Sequence, residues 1–312
     1  MVGGSDHGLV LRLDGDVGEL MPEQNRLPPP AGESAKPSPS RIRLLERSDI
    51  PGAMLLKEQA GWNQTGQDWE RLLELEPHGC FALETEGCLA ATASVVVYGE
   101  DLAWIGMVLT APRYRGRGFA SMLVNRTIEF AESRKVAHIG LDATDMGIPV
   151  YRSCGFEGDC PVERWERPPL AEPAAPLELA GWRYSADLDT AAFGTDRSKL
   201  LASLARVEAA SIPGLGYAMG RPGSKAAYFG PCVARSNEAA ARLLRWFSAR
   251  HAGEQVYWDL PAENRAAVQL ARQSGFRRVR QLIRMWRHRE PGGTVNSPDL
   301  SSVFAIAGFE YG

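Results

Sequence analysis

The stretch APRYRGRGFASML (111–123) sets three arginines, Arg113, Arg115 and Arg117, and two glycines, Gly116 and Gly118, between an apolar run and a run with helical spacing. Strand, glycine-rich turn, then helix is an order that binds phosphate. The first N–H groups of a helix have no internal partner, and the helix dipole favours an anion there. Glycine lets the backbone come close to a bulky pyrophosphate, and guanidinium adds charge-assisted hydrogen bonds. Arg113, Gly116 and Gly118 have the spacing R-x-x-G-x-G. No GK[ST] ending follows, so this is not a P-loop, and the strands read around it predict an antiparallel setting rather than the parallel β-α-β unit that a dinucleotide-binding GxGxxG needs. On spacing alone, a solvated loop and a nucleic-acid patch remain open readings of the same residues.

The elements that must position this loop are legible around it. FALET (81–85), LAATASVVVYG (89–99) and LAWIGMVLT (102–110) read as three strands joined by short turns, an antiparallel meander. Residues 119–133 carry Ala120, Leu123, Val124 and Ala131 near helical spacing. AHIGLDAT (137–144) is a further strand, and MGIPVYRSCGF (146–156) a short helix closed by Gly155. Residues 157–166 return as a strand. Upstream, RIRLLERSDI (41–50) alternates and then meets the helix-start signal Ser48-Asp49. Residues 1–40 hold six prolines and little periodicity, which predicts a disordered leader.

A Pro/Ala-rich linker, RPPLAEPAAPLEL (167–179), separates a second region. Its predicted strands lie at 215–220, 226–234, 255–260 and 278–286, its helices near 196–208, 237–250 and 263–273, and its tail SSVFAIAGFEYG (301–312) reads as a terminal strand. The expected division is a leader (1–40), a first domain (41–168), a linker (169–180) and a second domain (181–312). TDMGIPVYRSCGF (144–156) and NRAAVQLARQSGF (264–276) form a faint internal repeat about 120 residues apart, each ending in Gly-Phe.

Composition narrows the function classes. The chain has 312 residues, 44% hydrophobic and 23% charged, which is a globular composition. Lys and Arg number 35 against 38 Asp and Glu. A protein held to DNA or RNA by bulk charge is usually more basic, so no nucleic-acid partner is expected. Five cysteines without a CxxC, and scattered histidines without HExxH, suggest neither a disulfide framework nor a metal site. A reduced, cytoplasmic setting is the simplest expectation. No run approaches the ~20 apolar residues of a membrane span, and a secretory signal is not evident.

Two motifs together carry a family resemblance. MVLTAPRYRGRGFASML (107–123) resembles the acetyl-CoA loop of the GNAT acetyltransferase superfamily, Q/R-x-x-G-x-G/A after a strand and opening a helix. TDMGIPVYRSCGF resembles that superfamily's next motif, N-x-x-A-x-x-L-Y-x-x-x-G-F, in the expected order and separation. AGWNQTGQDW (60–69), WIGMVL (104–109), LDAT (141–144) and the tail VFAIAGFEYG (303–312) look like tandem-GNAT proteins with a divergent second domain. The resemblance implies a mixed α/β (α+β) fold of two GNAT-like domains, each a mostly antiparallel central sheet flanked by helices.

It also implies roles. The backbone of Val108, Leu109 and Thr110 would pair with the pantetheine arm, and an amide near Met107–Val108 would face the attacked carbonyl. Arg113, Arg115, Gly116, Arg117, Gly118, Phe119, Ala120 and Ser121 would surround the pyrophosphate. Tyr151, four residues before Gly155, stands where the family has its general acid; the plain alternative is a packing aromatic beside Phe156. Thr144 and Gly147 depart from the usual Asn and Ala, so the Thr144 contact to the cofactor is an open expectation. No carboxylate lies within 102–110; Asp142 is the candidate base, with Asp145 nearby, and turn or helix-cap roles are the alternative for both. Trp62, Asn63 and Gln64 lie between the first two helices, where the acceptor would bind. Cys154, beside the tyrosine, is the one thiol to watch for an acyl-enzyme; the plainer reading is a small buried helix residue.

The second region has no R-x-x-G-x-G; RSNEAAARLL (235–244) follows its strand, and Ala271 stands where the acid tyrosine would be. The implied function is acetyl-CoA-dependent transfer to the primary amine of a small molecule, by a direct ternary-complex route without a metal, from a monomer or homodimer. A non-catalytic acyl-CoA sensor is the alternative. The second domain is expected to complete the acceptor pocket or to act as a built-in dimer partner.

Overall fold

A computed structural model describes residues 40–312 except 172–174, 176, 184 and 291–298. The predicted leader and part of the linker therefore lie outside the described residues. The first half runs β1 (Arg41–Leu44), α1 (Ile50–Gln59), α2 (Gly66–Leu75), β2 (Cys80–Thr85), β3 (Cys88–Tyr98), β4 (Leu102–Thr110), α3 (Phe119–Ser133), β5 (His138–Ala143), α4 (Ile148–Ser153) and β6 (Glu157–Arg167). The second runs β7 (Ala180–Gly181), α5 (Ala186–Phe193), α6 (Ser198–Ala205), β8 (Glu208–Ile212), β9 (Gly216–Arg221), β10 (Ala227–Ala234), α7 (Asn237–Arg250), β11 (Val256–Pro261), α8 (Arg265–Gln273), β12 (Arg277–His288) and β13 (Val303–Ala305).

Each strand of the meander alternates its side chains between two faces, as the pleat requires. In β3 and β4, Ala93, Val95, Ala103 and Ile105 pack beneath α3 with Leu123, Val124 and Ile128. Val96, Tyr98, Leu102 and Trp104 point the other way, into a core shared with Leu188, Leu201 and Tyr217 of the second half. A third core lies beneath α7 and α8, around Phe229, Phe247 and Trp258.

Among the described residues all strands join one sheet, in the order β1-β2-β3-β4-β5-β12-β6-β11-β10-β9-β8-β7, with β13 on β10. The two halves interleave. The second half's β12 lies between β5 and β6, antiparallel to both. The first half's β6 lies between β12 and β11. Each half thus completes its sheet with the last long strand of the other, and no sheet edge separates them.

Two further features place the site. In β4 the register against β3 jumps, so that Met107 and Val108 stand opposite the single residue Ala93. This is a β-bulge, and Met107 takes a positive φ of 51° there. Contrary to the antiparallel setting expected around the glycine turn, β4, α3 and β5 form a parallel crossover, but β4 and β5 part beyond the bulge: their ladder covers only Leu102–Trp104 against His138–Gly140.

The helix-and-turn repeat is real in three dimensions. Gly155 and Gly275 end α4 and α8 with φ of 84° and 79°, and the amides of Phe156 and Phe276 reach back to the carbonyls of Tyr151 and Ala271. The tail differs from the terminal strand expected over 301–312. Only Val303–Ala305 form β13. At Gly308, with φ of 141°, the chain turns away from the sheet ladder, and its last residues enter the first half.

Candidate active site

The parting of β4 from β5 opens a cavity of about 570 Å³. Ile105–Thr110 of β4 line one wall, and Asp142, Thr144, Gly147, Val150 and Tyr151 the other. The glycine turn closes one end, with Arg115, Gly116, Gly118, Phe119, Ala120 and Ser121 on the lining. Gly116 and Gly118 have φ of 76° and 79°, and a Cβ at either would meet nothing within 4 Å. Their requirement is conformational rather than steric. Gly118 is also the N-cap of α3 and supplies no side-chain cap, so the first-turn amides of α3 have no internal partner. The Thr110 hydroxyl is buried, without a hydrogen-bond partner, on the same lining. These are donors prepared for an anionic, hydrogen-bonding ligand.

The three arginines divide. Arg115 lines the cavity. Arg113 and Arg117 lie over the Tyr114 ring instead, at 4.5 and 5.1 Å from its centroid, and Arg117 stands 3.9 Å from Glu86. Tyr114 is buried, so these two cations brace the loop from outside.

Tyr151 reaches the cavity from α4, edge-on to Phe156 with ring centroids 6.1 Å apart. Burial pushes its phenol well above the ordinary range. It holds its proton at neutral pH and can donate it. Thr144 lines the cavity, but its hydroxyl accepts from the Gly147 amide at 3.2 Å, in the turn that leads into α4.

Asp142 is on the lining, yet its carboxylate is taken by Arg284 of β12, whose Nε and Nη2 reach Oδ1 and Oδ2 at 2.9 and 3.0 Å. Burial raises its pKa and the guanidinium opposes the rise. The side chain is shut off from solvent and ties β5 to the inserted strand. This corrects the expectation of a free base at Asp142.

The loop between α1 and α2 sends two of its three candidates to the cavity. Trp62 and Gln64 line it. Asn63 does not. Its Oδ1 accepts from the amides of Lys225 and Ala226, and its Nδ2 donates to the Ala226 carbonyl. Every polar atom of that amide fastens the loop to the β9–β10 turn of the second half, so its substrate role is replaced by a structural one. Gln64 Nε2 donates to Glu310 Oε2 at 2.8 Å, while Gln64 Oε1 is buried with no partner.

The residues missed in the sequence come from the second half and from the end of β6. Arg164, Arg280, Leu282, Phe309 and Glu310 line the cavity. Glu310 is buried. Its Oε1 accepts from Arg221 Nη2 at 2.8 Å, and Arg221 Nε stands 3.2 Å from Asp68. Burial raises its pKa against the pull of Arg221. The backbone lies hard against β4: a Cβ at Gly106 would stand 2.8 Å from the Glu310 Cα. Trp104 Nε1 and the Tyr98 hydroxyl hold the neighbouring carbonyls of Phe309 and Tyr311, each at 3.0 Å. The one available signal was a single carboxylate in the otherwise apolar run FAIAGFEYG.

Comparison with known families agrees with this geometry. A model described as the acetyltransferase (GNAT) family matches residues 52–156, and one described as an acetyltransferase (GNAT) domain matches 186–296. The chain belongs to the GNAT superfamily. It carries two GNAT domains in tandem, on a mixed α/β fold with a mostly antiparallel sheet. Among solved structures, a Pyrococcus horikoshii protein provisionally named an acetyltransferase is 21% identical with a TM-score of 0.73, over 88% of this chain and 96% of its own. A GCN5-related N-acetyltransferase from Sphaerobacter thermophilus is 17% identical with a TM-score of 0.61, over 81% and 97%. A tandem GNAT protein from the clavulanic acid biosynthesis pathway is 13% identical with a TM-score of 0.56, over 82% and 100%. These likenesses concern the fold. A search of curated proteins finds no match. No helix among the described residues is long and apolar enough to cross a membrane.

Proposed function

We propose that this GNAT protein moves an acetyl group from acetyl-CoA to the primary amine of a small molecule, in the first half, by direct transfer in the cytoplasm. The observation that carries the reading is the parted β4–β5 cleft, with uncapped α3 amides at one end and Tyr151 and Glu310 on its walls. The residues fit the cosubstrate: bare helix amides and Arg115 suit a pyrophosphate, and the partnerless Thr110 hydroxyl suits an amide-bearing arm.

Acetyl-CoA supplies a thioester already activated toward nucleophiles. The protein must supply the rest. An alkylamine has a pKa of about 10.4, so at pH 7 deprotonation costs on the order of 4–5 kcal/mol. Glu310 takes that proton; each carboxylate oxygen has two lone pairs, so Oε2 can accept from the amine while it accepts from Gln64. The Val108 amide, turned at the bulge, donates to the oxygen of the attacked carbonyl. As the C–N bond forms and the C–S bond breaks, Tyr151 gives its proton to the departing sulfur, and the nitrogen, on becoming an amide, sheds its extra proton to restore the phenol. The parted strands keep the reactants aligned.

The test is a panel of primary amines with acetyl-CoA, read as thiol release. Amine-dependent release is expected. Tight acetyl-CoA binding with no release on any amine would replace this reading with that of an acyl-CoA sensor.

A further inference from the structure

The acceptor end of the cavity carries charge of both signs. Glu310 and the partnerless Gln64 Oε1 both accept hydrogen bonds. Arg164 and Arg280, which pair in register on β6 and β12, share the lining with them. Their states differ. Arg164 gives Nε and Nη2 to Asp259 at 2.8 and 2.6 Å, so its charge is matched. Arg280 is half-buried, and among the described residues no carboxylate lies within ion-pair distance of it. Asp259 and Asp145 act on it only from farther away. A guanidinium cannot shed its proton to escape this setting.

A half-buried cation without a counterion is costly unless something that binds completes it. The pyrophosphate end of the cavity has its own cation in Arg115 and its own helix amides. Arg280 therefore faces the other reactant. We propose that the acceptor is an amino acid, a primary amine bearing its own carboxylate, with the amine at Glu310 and Gln64 and the carboxylate on the Arg280 fork. This rests on the acetyltransferase reading above. The products are an N-acetylated amino acid and the free CoA thiol: the ammonium gives its first proton to Glu310, C–N forms, C–S breaks, the sulfur takes the Tyr151 proton, and the second proton that the nitrogen sheds on becoming an amide restores the Tyr151 phenol. Trp62, Leu282 and Phe309 give the side chain an apolar seat.

The probes are the common α-amino acids, each paired with the amine left when its carboxyl group is removed. The wild-type protein is expected to favour its best amino acid over that partner amine by about tenfold or more in kcat/KM, as a charge-assisted bidentate contact allows. In Arg280→Gln the preference collapses to about one through KM for the amino acid, with KM for acetyl-CoA unmoved, and Arg280→Lys restores part of it. An equal or better rate on the decarboxylated amine overturns the proposal and leaves the transferase standing. So does an Arg280→Gln effect that falls on KM for acetyl-CoA. If no probe releases thiol, equilibrium dialysis of the same amino acids with CoA present decides. Binding lost in Arg280→Gln upholds the carboxylate site while the transferase reading falls. Binding that is absent, or equal in both proteins, overturns the site as well.

Discussion

The two halves share a bulged fourth strand, a helix after it and a parted fifth strand, yet among the described residues only the first keeps the slot between those strands open. In the first, β4 and β5 separate and the space stays open. In the second, β10 and β11 pair only over Ala227–Phe229 and Val256–Trp258, and β13 lies on β10 beyond that point. The Ala234 amide donates to Ser302, the Ile306 amide to Asp259, and Asn264 Nδ2 to the carbonyls of Ser301 and Val303. The chain's own tail occupies the slot that the first half holds open. A second cavity of about 750 Å³ remains outside it, at the start of α7, but Asp187, Glu263 and Asp299 line it beside Arg235 and Arg265. That wall does not favour a pyrophosphate. After plugging its own half the tail delivers Glu310 to the other. The second domain thus lines the first domain's cavity.

The bulges show how little separates the two. Met107 and Val108 stand opposite Ala93; Gly230 and Pro231 stand opposite Met219 in the same way. Val108 corresponds to Pro231, which has no N–H to donate. Gly106, which admits the Glu310 backbone, corresponds to Phe229, a core residue. Importing the second half's residue into the first is therefore the sharpest test. Val108→Pro is expected to lower kcat by about 10²–10³-fold, the usual loss of one donor to a developing oxyanion, with a smaller loss of acetyl-CoA affinity by calorimetry. Val108→Ala keeps the amide and should turn over near the wild-type rate. Equal behaviour of the two variants would show that the difference between the bulges is only one of packing.

Tyr151 corresponds to Ala271, which is fully buried and leaves no room for a phenol. Tyr151→Phe keeps the ring packed on Phe156 and removes only the proton donor. A fall of about 10²-fold in kcat is expected, from general-acid catalysis, with KM for acetyl-CoA within about twofold. The pH profile adds a sign. Burial holds the Tyr151 phenol above its ordinary pKa of about 10, so no loss of rate from this group should occur as pH rises to that value. Burial also raises Glu310, which must be ionised to take a proton. The rate should therefore rise with pH through a point above the ordinary glutamate value of about 4.3. An alkaline decline near pH 8 that vanishes in Tyr151→Phe would contradict the assignment.

Much of this was legible in local pattern and little of it in long-range pairing. The glycine loop, α3, the meander and the Gly-Phe turns follow from spacing and turn chemistry, which act over a few residues. The exchange of β6 and β12 does not, because VERWERP and RRVRQLIRMW alternate identically whichever neighbour they join. α5 and β8 were missed: LLASLARVEAASI reads as one helical run through residue 208, while the helix ends at Ala205 and a strand begins at Glu208. In the site, Tyr151 and the loop amides were found through motif order. Asn63 was misjudged because an amide that clamps backbone and one that reads a ligand have the same sequence. Glu310 was invisible as a site residue because its position depends on the tail crossing from one half to the other.

The smallest expected effect tests whether the second helix start is structural. α3 begins at Gly118 with no side-chain cap, whereas α7 begins at Ser236, whose Oγ accepts from the Ala239 amide at 3.2 Å. One helix leaves its first-turn donors without a side-chain cap; the other satisfies one of them internally. Ser236→Ala should cost about 1 kcal/mol of stability, as N-cap losses do, which is roughly 1.5 °C in Tm for a chain of this size. Turnover and acetyl-CoA affinity should not change, because no cosubstrate contact is lost. A thermal melt run beside calorimetry separates the outcomes. Weaker acetyl-CoA binding with an unchanged melt would mean that the start of α7 holds a cosubstrate after all, and the division of labour between the halves would have to be redrawn.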